Sequence, residues 1–151
     1  GYGASLENGR FKDFFFSEIE DEIDKSRIFF LDIVDYDVFI KILQITTAHV
    51  YLTFPFVLSW SMLESMSLGG LVIGSKTPPV EEVIKHNKNG LLVDFFDYKA
   101  ISSKVIDILN NPSSYSKIRK EARKTVVENY DLYKNSIPKQ MEIIESLLNE
   151  K

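Results

Sequence analysis

The sequence predicts an α/β fold in which a Rossmann-like parallel sheet is flanked by helices. Four short apolar segments alternate with segments of helical periodicity, and this order is typical of parallel strands joined by right-handed crossovers. The strands are predicted over residues 27–31, 49–53, 71–73 and 91–93. The clearest unit runs from Ala48 to Gly74 as a buried strand, a loop, a short helix and a second buried strand. Because ligands bind such sheets at the carboxyl ends of the strands, the loop over 54–61 is the first candidate site.

The helices are predicted from apolar residues three or four positions apart and from residues that start or stop a helix. The first three are expected over 13–25, from a cap at 35 or 37 to residue 45, and from a cap at 59 or 61 to the glycines at 69 and 70. The other four are expected over 80–86, from Asp97 to a break at 111–113, around 118–126, and over 136–149. The Phe14–Phe16 cluster is expected to join a core, or to turn one face towards an absent domain. The last helix is expected to point Met141, Ile144 and Leu148 inward, either onto the sheet or towards another domain.

The bulk composition limits the function classes. A chain of 151 residues with 44% hydrophobic and 26% charged residues is expected to form one globular domain. The net charge of −4 argues weakly against nucleic acid as a partner. Without cysteine, disulfides and thiolate metal sites are excluded, and the cytoplasm is the simplest location. No apolar run is long enough to predict a membrane span, although peripheral membrane attachment stays open for a longer parent protein.

Several short motifs follow one another in a specific order. They are Met62-Leu63-Glu64-Ser65-Met66 with Gly69, then Val72-Ile73-Gly74-Ser75, then Glu82-Val83-Ile84, then Asn89-Gly90-Leu91-Leu92-Val93, and finally residues 123–132. No single motif is specific, but the ordered set resembles the C-terminal domain of glycosyltransferase family 4 (group 1) enzymes. The resemblance implies a GT-B fold and retaining transfer of a sugar from a nucleoside-diphosphate donor.

The resemblance also implies a donor site. In this family the second glutamate of an E-x7-E motif holds the ribose hydroxyls of the nucleotide, and Glu64 matches that glutamate. The first glutamate is replaced by Phe56, and Val57, Leu58 and Ser59 stand where the family has loop glycines. The donor-binding residues expected from the resemblance and from the edge of the sheet are Glu64, Ser59, Trp60, Ser61, Phe56, Lys76 and Thr77. No catalytic residue, metal ligand or cofactor is carried over.

The family's enzymes have two Rossmann-like domains with the reaction in the cleft between them. Residues 1–151 are therefore interpreted as a single domain, the nucleotide-sugar-binding half of a longer enzyme whose first strands and N-terminal domain are absent. The expected partners are a nucleotide sugar and that N-terminal domain, and a homo-oligomer is possible through exposed apolar surface. The chain alone is expected to be inactive.

Simpler interpretations stand beside these. Ser61-Met62-Leu63-Glu64 fits a capping box, in which Glu64 would bond the backbone N–H of Ser61. The loop before the helix also fits a plain N-cap with Phe56, Leu58 and Trp60 packed as core. Lys76 fits an exposed turn lysine, His49 a satisfied structural histidine, and His86 a helix-end cation or a surface residue. The alternative function is a non-catalytic Rossmann-like module that binds a nucleotide or a protein.

Overall fold

The computed structural model describes residues 5–6, 9–53 and 57–149. The chain forms two compact units, Gly1–Val34 and Asp35–Lys151. Among the described residues, no helix is long and apolar enough to cross a membrane. The candidate site predicted from the sequence belongs to the second unit.

The first unit is small and leaves much of its apolar surface exposed. Strands β1 (Ser5–Leu6) and β2 (Gly9–Arg10) pair antiparallel, and helix α1 (Phe11–Ile19) follows, ending earlier than predicted. The strand predicted over 27–31 is wrong, because no described strand pairs with it and a strand exists only through its ladder partner. Phe29 in this segment is 78% exposed.

The phenylalanine cluster of the first unit is not a core. Phe14 and Phe15 are 50% and 56% exposed, which contradicts the expected burial of the cluster. Consecutive helical residues point about 100° apart, so three neighbours cannot all face one surface. Phe16 is half-buried and meets the ring of Phe30 edge to face, with ring centroids 5.2 Å apart.

The second unit contains a three-stranded parallel sheet in the order β3-β4-β5. Its strands are β3 (His49–Tyr51), β4 (Val72–Ser75) and β5 (Leu91–Val93), so three of the four predicted strands are confirmed. The register pairs Val50 with Ile73 and Gly74 with Leu92. All four residues of the central strand β4 are buried, as expected for a parallel strand covered on both faces. The predicted fold class is confirmed.

Six helices of the second unit follow the predicted order, with shifted ends. They are α2 (Tyr36–Ile45), α3 (Trp60–Ser67), α4 (Pro78–Val83), α5 (Tyr98–Asn110), α6 (Ser116–Asn129) and α7 (Ile137–Asn149). The predicted cap of α5 is confirmed, because the N–H of Ala100 donates to Asp97 Oδ1 at 2.9 Å. Asp35 occupies the N-cap position of α2, but its side chain makes no capping bond.

The core lies on both faces of the sheet. One cluster contains Tyr51, Met62, Met66, Val72, Val80, Val83, Ile84 and Ala122, and the other contains Leu71, Ile73, Leu91, Val93 and Ile108. Val72 and Ile73 belong to different clusters because successive strand residues point to opposite faces. Helices α3, α4 and α6 contribute to the first cluster and α5 to the second. The packing thus fixes α3 against the sheet.

The turn from α3 into β4 depends on two glycines. Gly69 has a φ of +77°, a left-handed conformation that ends helices at low cost when the residue is glycine. Gly70 lies against the preceding helix, since a Cβ at this position would be 2.4 Å from Ser65 Oγ. The predicted helix stop at these glycines is confirmed.

Helix α7 is confirmed as a helix but not as a core element. None of its residues is buried, and Met141, Ile144 and Leu148 are 47%, 50% and 67% exposed. The alternative that these side chains pack onto the sheet is therefore wrong, whereas the alternative that they face another domain stays a prediction. The physical reason is that α3, α4, α5 and α6 already supply the side chains that cover the two faces of the sheet.

Candidate functional site

The carboxyl edge of the parallel sheet gathers the segments that carry the predicted site residues. All three strands run in the same direction, so the segments that follow them begin at one edge. They start at Leu52 after β3, at Lys76 after β4 and at Asp94 after β5. This edge is where open α/β sheets bind ligands.

A hydroxyl network joins the first two of these segments. Ser75 Oγ accepts from the N–H of Thr53 at 3.1 Å and donates to the Thr53 carbonyl at 2.9 Å. Thr77 Oγ1 lies 3.3 Å from Ser75 Oγ, and since the Ser75 proton is used, the Thr77 hydroxyl donates. Thr77 is only 7% exposed. The predicted site residue Thr77 therefore turns its side chain inward to the sheet, while Lys76 beside it is exposed.

The N-terminus of α3 is capped by serine, as predicted. Ser59 is the N-cap residue, and its Oγ accepts from the N–H of Ser61 at 3.4 Å and lies 3.2 Å from Ser61 Oγ. The N–H of Ser59 donates to the Tyr51 hydroxyl at 2.8 Å, which ties the cap to β3. Two hydroxyls thus lie at a helix start, where the helix dipole and the N–H groups of the first turn favour an anion.

The aromatic and apolar residues of this segment divide between core and solvent. Leu58 is half-buried and packs against the core, as the simpler interpretation expected. Trp60 is 77% exposed, so the expectation that it is packed as core is wrong. As the first residue of α3, it points away from the face that carries Met62 and Met66. Phe56 lies outside the described residues, and its predicted role stays a prediction.

Glu64 lies one turn into α3 with a partly exposed side chain. The hydroxyl of Tyr36 donates to its Oε1 at 3.0 Å. The capping-box interpretation is wrong, because the N–H of Ser61 donates to Ser59 and the N-cap at Ser59 would place the box partner at Met62. Glu64 is therefore a carboxylate on the surface of α3, close to the helix start but not used as its cap.

Sequence reasoning missed Tyr36. It lies 28 residues before Glu64, in the first turn of α2, and no spacing in the sequence relates the two residues. The hydrogen bond to Glu64 is the largest cause that raises the pKa of Tyr36 above its ordinary value of 10.0, followed by burial of the hydroxyl. Only the packing of α2 on α3 reveals the pair.

An open groove of about 460 Å³ begins at the same edge but leads away from α3. It is lined by Lys76, Glu81, Ile84, Lys85, His86 and Leu92. Of the predicted site residues that the structure describes, only Lys76 lines it. His86 is exposed, and its Nδ1 accepts from the N–H of Leu92 at 2.9 Å, so it is a surface residue held against the edge of the sheet.

His49 begins β3 at the opposite edge and takes no part in the site. Its Nε2 is buried without a hydrogen-bond partner in the described part of the chain, so the expectation of a satisfied histidine is not met. Burial lowers the pKa of His49 below its ordinary value of 6.5. The imidazole is accordingly a partly buried group whose surroundings favour the neutral form.

Several solved structures share this fold. The chain is similar to sucrose-phosphate synthase from Thermosynechococcus elongatus, with a TM-score of 0.79, 20% identity and coverage of 99% of this chain and 38% of that one. It is also similar to the C-terminal domain of a glycosyl transferase group 1 family protein from Francisella tularensis, with a TM-score of 0.71, 22% identity and coverage of 81% and 63%. Anabaena HepE in complex with UDP gives a TM-score of 0.77, 16% identity and coverage of 92% and 37%. The fold is that of a GT-B C-terminal domain.

The family follows from the sequence itself. The family model for glycosyl transferases group 1 matches residues 3–125, and the chain belongs to this family. It spans 38% of the length of the synthase it resembles. No curated protein sequence matches it. The narrower assignment to family 4 stays a prediction.

Proposed function

We propose that this chain binds the nucleoside diphosphate of a nucleotide-sugar donor at the N-terminus of α3 and supplies the donor-binding half of a retaining glycosyltransferase. The observation that carries the proposal is the position of Glu64. It is a partly exposed carboxylate one turn from a serine-capped helix start at the carboxyl edge of a parallel sheet. Membership of the glycosyl transferases group 1 family supports it.

Glu64 is proposed to hold the ribose. A carboxylate accepts hydrogen bonds on two oxygens, with about four lone-pair positions in all. The Tyr36 hydroxyl occupies one position on Oε1. The two adjacent hydroxyls of a ribose need two acceptor positions, so the carboxylate retains enough for both. Hydrogen bonds to an ionised acceptor are also stronger than those between neutral groups.

The start of α3 is proposed to hold the diphosphate. Its first N–H groups and the hydroxyls of Ser59 and Ser61 supply donors, and the helix dipole favours negative charge at this end. The exposed ammonium group of Lys76 on the next segment adds a positive charge at the same edge. The exposed indole of Trp60 offers a surface on which a base or sugar ring can stack. The hydroxyl of Thr77 is buried against Ser75, so it faces the sheet rather than the donor.

The parent enzyme is proposed to use the donor with retention at the anomeric carbon, without a metal or an organic cofactor, in the cytoplasm. The acceptor then binds to its N-terminal domain. UDP is the first nucleotide to test, since HepE, with the same fold, is solved in complex with UDP.

The test is thermal unfolding of the 151-residue chain with millimolar UDP, GDP or ADP. A ligand present at about a hundred times its dissociation constant stabilises the folded state by roughly 2.7 kcal/mol. We expect one diphosphate to raise the midpoint, and Glu64→Gln to remove most of that shift. The matched control is Glu128→Gln, an exposed glutamate on α6, which should keep the full shift. If no diphosphate shifts the wild-type chain, or if Glu64→Gln keeps the shift, the proposal is wrong.

Turnover separates the transferase from a non-catalytic nucleotide-binding module. We expect the 151-residue chain to release no UDP from a UDP-sugar, because the acceptor site belongs to the other half of the enzyme. The same chain covalently preceded by the absent first strands and the N-terminal domain should release UDP when acceptor is added. Nucleotide protection without turnover in that longer protein would favour the non-catalytic module.

A further inference from the structure

The hydrogen bond between Tyr36 and Glu64 joins two helices at the proposed donor site. Tyr36 belongs to the first turn of α2, and Glu64 to the second turn of α3. The bond is 3.0 Å long and runs from the phenol hydroxyl to Oε1. Among residues 10–53 and 57–149, the structure gives the Glu64 carboxylate no second partner. Within the described residues, the hydrogen bond from Tyr36 is therefore the contact that orients the Glu64 carboxylate.

We propose that Tyr36 is a positioning residue, which holds the Glu64 carboxylate so that its remaining lone pairs face the ribose hydroxyls of the donor. The proposal rests on the proposed function, because it assigns a partner to the carboxylate that binds the ribose. A glutamate side chain has three rotatable bonds, and a surface glutamate samples several rotamers. One fixed oxygen reduces this freedom before the ligand arrives, which lowers the entropy cost of binding.

The surroundings of Tyr36 suit this role. Its ring lies 6.4 Å from the ring of Phe39, the residue three positions later on the same helix face, so the phenol is supported from its own helix. A phenol with the ordinary pKa of 10.0 is already protonated in the neutral range, and since the pKa of Tyr36 is raised by the bond to Glu64, the hydroxyl is able to donate there. The side chain is 62% exposed, so the pair lies at the surface where a ligand can reach it.

A purely structural role for the same bond is the competing explanation. A hydrogen bond that only holds α2 against α3 would change the free energy of unfolding. It would not change whether the carboxylate prefers ribose or 2′-deoxyribose. Positioning instead changes the discrimination between ribose and 2′-deoxyribose, because that discrimination depends on the alignment of the carboxylate with the diol. The ratio of the two affinities is therefore the readout that separates the roles.

The experiment measures the affinity of the tightest binder among UDP, GDP and ADP, and of its 2′-deoxy counterpart, for four chains. These are the wild type, Tyr36→Phe, Glu64→Gln and the control Tyr133→Phe, whose tyrosine is 79% exposed and remote in sequence from the site. We expect the wild type and Tyr133→Phe to prefer ribose over deoxyribose. In Tyr36→Phe this preference should fall by roughly three- to tenfold, the usual weight of one hydrogen bond. Glu64→Gln should lose most of it.

A second measurement tests the bond without any nucleotide. Tyrosine ionisation is followed by ultraviolet absorbance, and the contribution of Tyr36 is the difference between the wild type and Tyr36→Phe. We expect the Tyr36 contribution to ionise at lower pH in Glu64→Gln than in the wild-type background, because the charged acceptor is gone. An unchanged Tyr36 titration would show that the bond is absent and would overturn the inference.

The outcomes separate this inference from the proposed function. If Glu64→Gln loses the ribose preference and Tyr36→Phe keeps it, Tyr36 does not position the carboxylate, although the donor site stands. If Glu64→Gln keeps the ribose preference, or if no diphosphate binds the wild type, the proposed function fails and the positioning role fails with it. Loss of the preference in both variants, with the Tyr133→Phe control unchanged, supports both.

Discussion

Helices α3 and α7 carry apolar residues at the same helical spacing, yet only α3 buries them. In α3, which has 8 residues, Met62 and Met66 are completely buried and Ser65 nearly so. In α7, which has 13 residues, none is buried. The difference lies in connectivity. Helix α3 is the crossover between β3 and β4, so the chain delivers it onto the sheet at both ends. Helix α7 is the third helix after β5, and α5 and α6 before it already contribute Ile108 and Ala122 to the two core clusters.

An amphipathic pattern does not by itself decide whether a helix is buried. The spacing of apolar residues makes a helix stable once a surface covers them, but it does not supply that surface. A crossover helix between neighbouring parallel strands has its surface provided by the fold. A helix after the last strand depends on other segments, on another domain or on a second copy of the chain.

The largest expected effect comes from removing a buried side chain of α3. Met66→Ala should lower the free energy of unfolding by about 2–5 kcal/mol, because it leaves a cavity in the core cluster beside Val72. The matched change on α7, Met141→Ala, should cost less than about 1 kcal/mol, since Met141 is 47% exposed. Urea unfolding of both variants measures the contrast. Equal losses would mean that α7 is buried in solution.

The second effect concerns what covers α7. We expect the chain to self-associate at high concentration through the exposed apolar face that includes Ile144 and Leu148. Ile144→Glu should weaken this association by at least about tenfold, because an interface that buries an apolar side chain would then bury a charge. Light scattering across a concentration series gives the apparent mass. Lys139→Glu, a charge reversal on the same helix, is the control and should have little effect. A wild-type chain that stays monomeric throughout would contradict the prediction.

The smallest expected effect is the pH dependence that arises from His49. Its pKa is lowered by burial, so the unfolded state binds the proton more strongly than the folded state does. The stability that the neutral His49 contributes is fully present above the ordinary pKa of 6.5. It is lost as the pH falls through the lowered pKa of the folded state. His49→Gln should therefore flatten the fall in stability as the pH drops below 6.5.

Urea unfolding at several pH values measures the slope of stability against pH for the wild type and for His49→Gln. A wild-type slope in His49→Gln would show that its imidazole is not desolvated.

Much of the fold was predictable because local signals and connectivity agree. The strands at 49–51, 72–75 and 91–93, the stop at Gly69 and the Asp97 cap are each encoded within a few residues. The predicted strand at 27–31 failed because a strand needs a partner, and an apolar run does not reveal whether one is available. Burial of the Phe14–Phe16 cluster failed for the related reason that burial needs a covering surface.

The candidate site likewise combines residues that the sequence places together with contacts that only the packing decides. The sequence by itself determined which residues stand at the start of α3, and it placed Ser59, Ser61 and Glu64 together because they are neighbours on one helix. Only the tertiary structure decided that Trp60 is exposed, that Thr77 bonds Ser75 and that Glu64 is held by Tyr36 rather than used as a cap. Residues within a turn of one another meet through helix geometry, whereas residues 28 positions apart meet only when two helices pack.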